Sequence, residues 1–95
     1  MIQHTVAFKL RDGADAEAFW ARVDDLAEIP GVEHFAILRQ VGLKNDFTDA
    51  LSMYFESESE YAGYNSHPVH TAFVADVWVP TVAKFIELDY VVADR

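Results

Sequence analysis

Three side chains able to hold or move a proton fall within seven residues, in Tyr64-x-x-His67-Pro68-x-His70. An imidazole titrates near neutral pH, so a small environmental shift turns it into a working general base. His70 is the candidate for that role. If the chain turns back at Pro68, Tyr64 lies beside it, able to orient the ring or donate to a developing oxyanion. His67 immediately precedes Pro68, where a helix-capping side chain belongs, and reads as structural. A third histidine, His4, sits among Ile2, Val6 and Phe8 on the apolar face of an alternating stretch. A polar ring in that setting must find a partner or line a pocket, and both readings stand. With His4, Phe73 is the expected ligand contact; Phe19, Trp20 and Trp78, at helical spacing with it, read as core or subunit interface.

Other chemistries fit less well. His67 and His70 are too weakly patterned for a zinc site, and Pro68 breaks the helical relation that would aim both rings at one point. No metal and no cofactor are expected. Glu56, Glu58 and Glu60 are explained by a strand end and a helix start, and the four glycines are too scattered for a phosphate loop. Sixteen acidic against seven basic residues give a net charge of −9. Phosphate backbones and anionic lipid surfaces are repelled by that balance, which excludes nucleic acid and membrane partners. No apolar run reaches the roughly 18 residues of a membrane span. The chain enters a strand pattern at once without a basic-then-apolar leader, so the expected location is cytoplasmic.

The elements that must position these residues follow from periodicity. Ile2 to Leu10 alternates cleanly as a half-buried strand. After Asp12-Gly13, acidic Asp15 and Glu17 favour a helix start. Ala16, Phe19, Trp20, Val23, Leu26 and Ala27 then recur at helical spacing until Pro30-Gly31. Val32 to Val41 reads as a strand with both faces partly apolar. One helical layer covers one face of a sheet, so the other needs a partner. A third strand runs from Thr48 or Asp49 to Phe55. Ser57-x-x-Glu60 is a capping box opening a helix to about Tyr64. A further helix starts at Pro68 and closes before Pro80, and the last strand spans Ala83 to Val92. The order β-α-β-β-α-β is the ferredoxin-like α+β arrangement with a four-stranded antiparallel sheet.

At 95 residues, the chain reads as one domain, 1–95. So short a domain buries only about 60% of its unfolded surface. It has no cysteine for disulfides, yet 52% of its residues are apolar. Association into a homodimer is the remaining way to add a core.

Taken together and in order, His4 with Phe8-Lys9, Ile29-Pro30-Gly31-Val32, Phe55-Glu56-Ser57, the Tyr64-to-His70 segment and Asp89-Tyr90 resemble the stress-responsive A/B-barrel (Dabb) family over essentially the whole chain. The resemblance implies a dimer in which two sheets close into an α/β barrel. It also points to plant polyketide cyclases, which perform an aldol condensation without a cofactor. There a histidine matching His70 is the base, a tyrosine matching Tyr64 assists, and histidines of the first and third strands line the pocket. His4 matches the first of these. Asp49 stands at the third-strand position and Val23 replaces a pocket tyrosine, departures that speak against the cyclase reaction itself.

Two functions are therefore carried forward. One is a cofactor-independent enzyme performing His-based proton transfer or cyclisation on a small carbonyl or phenolic compound. The other is a non-catalytic stress-responsive dimer binding a small apolar ligand or a protein partner. A cofactor-free monooxygenase is a more distant reading, resting on fold analogy alone.

Overall fold

The structure is a computed structural model and describes residues 1–95. Strand β1 (Ile2–Leu10) leads to helix α1 (Ala16–Leu26), then strands β2 (Glu33–Arg39) and β3 (Asp49–Phe55). Helices α2 (Glu58–Ser66) and α3 (Pro68–Phe73) follow. A π-helical turn (Val74–Trp78) and a last α turn (Val79–Thr81) lead into β4 (Val82–Tyr90). The strands form one antiparallel sheet in the order β2-β3-β1-β4. This is the ferredoxin-like α+β arrangement that the periodicity predicts.

β1 lies inside the sheet, and its alternation decides what the helices cover. His4, Val6 and Phe8 are buried, as are Leu51, Met53 and Phe55 on β3. Direct cross-strand partners share a face, and the register pairs His4 with Met53 and Val6 with Leu51. α1 closes over this face with Phe19, Val23 and Leu26. Phe8 is fully buried and meets Phe19, Trp20 and Trp78 at ring-centroid distances of 5.5, 5.9 and 5.0 Å. Burying such a side chain stabilises the fold by about 1.5–3 kcal/mol.

The other face of the sheet is uncovered. Ala7 pairs with Ala50 and Ile86, Thr5 with Ser52 and Leu88, and Gln3 with Tyr54 and Tyr90. Leu38, Ile86, Leu88 and Tyr90 are exposed here. The apolar alternation of the last strand, Ile86-Leu88-Tyr90, therefore belongs to the open face. Its other alternation, Phe85-Glu87-Asp89, turns towards the helices, because Phe8, Val6 and His4 are their partners.

Three elements differ in their boundaries from the sequence reading. β2 is shorter at both ends: its pairing with β3 is irregular between Glu33 and Ala36, where His34 takes φ +51°. β4 begins at Val82 and ends at Tyr90, leaving Val91 and Val92 outside the ladder. The third helical region does not stop before Pro80. Proline is excluded from a helix interior because it lacks an N–H and crowds the carbonyl four residues back. Here the backbone has already widened, with the Val79 N–H bonding to the Val74 carbonyl five residues back. Pro80 follows that wider turn and the helix runs to Thr81.

Candidate active site

α2 and α3 carry the site, and the break between them shapes it. Ser57 caps α2, its hydroxyl accepting from the Glu60 N–H at 3.2 Å. Tyr64 is the one buried residue of α2. His67 adopts an extended conformation (φ −63°, ψ 136°), as the residue before a proline prefers. Its Nδ1 accepts from the Val69 N–H at 3.1 Å, so His67 is the cap of α3. In an unbroken helix, that N–H would bond to the Asn65 carbonyl, four residues back. Diverting it leaves the Asn65 carbonyl open, and His70 Nδ1 lies 3.0 Å from it.

That contact fixes the histidine. A carbonyl can only accept, so Nδ1 of His70 carries the proton and a neutral ring keeps its lone pair on Nε2. Burial pushes the pKa of His70 below its ordinary value, with the bond to Asn65 opposing. The Tyr64 ring lies against it, 4.4 Å between centroids. Burial is also the main cause that raises the Tyr64 phenol well above its usual range, so it remains a proton donor at physiological pH.

His4 is buried and partnered. Its Nδ1 lies 2.6 Å from Asp89 Oδ1, and the Tyr61 hydroxyl donates to Asp89 Oδ2 at 3.0 Å. The carboxylate can only accept, which again places the histidine proton on Nδ1. Desolvation, reinforced by Asp89, raises the Tyr61 phenol and keeps it a donor. No fully buried polar side-chain atom in the protein lacks a partner. Nε2 of His4, Nε2 of His70 and the Tyr64 hydroxyl have no protein partner and must reach open space.

A cavity of about 260 Å³ lies between the sheet and the helices, bordered by His4, Tyr64, His70 and Phe73. All four residues expected to form the site meet here. Nine of the twelve lining residues are hydrophobic, which suits a largely apolar ligand. A wider cleft near Arg11, Asp15, Arg22 and Asp76 is lined mostly by polar residues and gathers no imidazole. From β3 the cavity receives Leu51 and Met53; Asp49 and Val23 do not border it. His67 and His70 turn their Nδ1 atoms to different backbone groups, and no three His, Cys, Asp or Glu side chains come together as a metal site.

Sequence reasoning missed three participants. Tyr61 and Asp89 hold His4, and Glu87 borders the cavity. The available signal was the period-2 alternation of β4, which sets Glu87 and Asp89 on one side and Ile86, Leu88 and Tyr90 on the other.

Residues 2–92 match the Stress responsive A/B Barrel Domain, Dabb. The chain belongs to the Dabb family. It is 29% identical to a stress-response A/B barrel domain-containing protein of Arabidopsis thaliana, a match spanning the whole chain but 38% of that protein. The chain thus spans less than half the length of the curated relatives it matches. A Dabb protein of ferredoxin-like fold from Mesorhizobium loti superposes with a TM-score of 0.85 at 41% identity, covering 98% of this chain and 97% of that one. Two more distant structures share the fold. A dimeric ferredoxin-like protein from Thermobifida fusca has a TM-score of 0.80 at 23% identity, with 96% and 90% of the chains covered. The hydroxynitrile lyase of Passiflora edulis has a TM-score of 0.86 at 17% identity, with 99% and 94% covered. On this fold, then, both dimers and an enzyme occur. No helix of this chain is long and apolar enough to cross a membrane.

Proposed function

We propose that residues 1–95 form one cytoplasmic domain that acts as a homodimer and catalyses proton transfer next to a carbonyl group of a small, largely apolar compound, without a cofactor. The observation that carries this reading is the pairing of a base and an acid in one apolar cavity. Nε2 of His70 offers a lone pair, and the Tyr64 hydroxyl beside it holds its proton. A carbonyl oxygen of the substrate accepts from Tyr64. Nε2 takes the α-proton, and the C–H electron pair moves through the new C=C bond onto that oxygen. The Tyr64 hydrogen bond strengthens as charge develops, which lowers the barrier. The imidazolium then returns the proton to carbon, or the enolate attacks a second carbonyl and closes a ring. His4 and Phe73 hold the ligand, His4 through its free Nε2. Among the structural neighbours, the lyase from Passiflora edulis gives a precedent for an enzyme on this fold.

The test is hydrogen exchange at the α-carbon of a ring-sized ketone such as acetophenone, followed by NMR in deuterated buffer. Protein-accelerated exchange is expected for the wild type, lost in His70→Ala and reduced about 10- to 100-fold in Tyr64→Phe. Ketone binding without any acceleration would favour the second reading, a non-catalytic ligand-binding dimer. Neither Asp49 nor Val23 borders the cavity, so the departures at those positions do not decide between the two readings.

A further inference from the structure

The polar groups around the cavity are unequal in kind. In their neutral forms His4 and His70 each present an unprotonated Nε2, because Asp89 and Asn65 hold the proton on the opposite nitrogen. Glu87 adds a carboxylate, reaching the helix-side face of β4 as the cross-strand partner of Val6. Against these acceptors the lining residues carry two donors, the Tyr64 hydroxyl and the Trp78 indole N–H. No lysine or arginine borders the cavity. Glu87 is exposed, which places its charge where the cavity meets solvent.

A ligand that brings only acceptors leaves these groups unpaired, and unpaired buried polar groups are what specificity is made of. An anionic ligand also meets Glu87 with no cation to offset it. A ring hydroxyl matches better: it donates to Nε2 of His4 and leaves Tyr64 and His70 to the carbonyl group and its α-carbon. In size, an apolar cavity of roughly 150 Å³ accommodates benzene, so about 260 Å³ accommodates one substituted ring.

We propose that Glu87 is the specificity-determining residue of this cavity, selecting an uncharged, hydroxyl-bearing ring compound, phenolic or enolic, and rejecting the corresponding carboxylate. The inference rests on the cavity being the ligand site and narrows its substrate class.

The probes are 4-methylphenol and 4-methylbenzoate, equal in ring and methyl group and differing in the charge of the polar end near neutral pH. Binding to the full chain is measured by calorimetry, together with the NMR shifts of the His4 and His70 rings. The phenol is expected to bind about 10-fold more tightly to the wild type, and Glu87→Gln to shrink that preference to about 2-fold. Asp24→Asn removes an equal charge from an exposed position on α1 and should leave the preference intact. Equal affinity of the wild type for both probes, or an unchanged ratio in Glu87→Gln, would overturn the role of Glu87 and leave the cavity as the ligand site. Binding of neither probe, with unmoved histidine shifts, would overturn the cavity reading and this inference together.

Discussion

At the scale of single residues, the most testable feature is the direction in which His70 is perturbed. Burial holds its pKa below the ordinary value of 6.5. The ring is therefore neutral, and usable as a base, to lower pH than a free imidazole. The same shift has a consequence for stability. Between the lowered folded pKa and the ordinary unfolded one, the unfolded chain binds more protons, so stability falls as the pH falls through that window. The contribution is complete above about pH 6.5, the ordinary value of an unfolded imidazole. Replacing His70 with Gln removes the titration. Urea unfolding of both proteins at a series of pH values should show the wild type losing its advantage on acidification below 6.5. NMR titration of the ring should give a midpoint below that value. A midpoint at or above it would contradict the burial of the ring, which outweighs the opposing bond to Asn65.

At the scale of elements, one short sequence performs two tasks. His67-Pro68 ends α2 and starts α3, and by diverting the Val69 N–H it opens the Asn65 carbonyl to His70. The capping role of His67 was legible, since a residue before a helix-opening proline has few other positions to fill. Its effect on His70 was not, because it depends on which carbonyl the diverted bond releases. β1 was legible to the residue, because a single covered face imposes a strict period of two. The last strand was legible as an alternation but not as an orientation. Ile86, Leu88 and Tyr90 form its more apolar side, yet the helices cover Phe85, Glu87 and Asp89, and only the pairing with β1 decides that. Pro80 misled for a local reason, the π turn that precedes it. The capping box was a sound signal, and it carries a prediction. Ser57→Ala leaves the Glu60 N–H without its side-chain partner and should cost about 1 kcal/mol in denaturant unfolding. Because α2 also carries Tyr61 and Tyr64, the loss should be accompanied by shifts of the His4 and His70 rings.

At the scale of the whole molecule, β4 joins the site to the open face of the sheet. Alternate residues of this one strand, Glu87 and Asp89, serve the cavity and the His4 pair, while Ile86, Leu88 and Tyr90 stand on the open face. β4 is an edge strand, hydrogen-bonded to β1 alone, and an exposed apolar edge of this kind calls for cover. A second copy placing its own open face against this one would bury Leu38, Ile86 and Leu88 from both subunits. Such a dimer should melt at a temperature that rises with protein concentration, because dissociation is coupled to unfolding. The double substitution Ile86→Lys and Leu88→Lys puts like charges on that face without touching the cavity side. It should sediment as a monomer and lose the concentration dependence. If the two sides of β4 are mechanically one, it should also loosen the Asp89–His4 contact, and the His4 ring resonances should broaden or shift even though neither substituted residue touches that ring. A wild type that sediments as a monomer at all concentrations would overturn the homodimer. A monomeric variant whose His4 resonances are unchanged would instead show that the cavity is complete within one subunit.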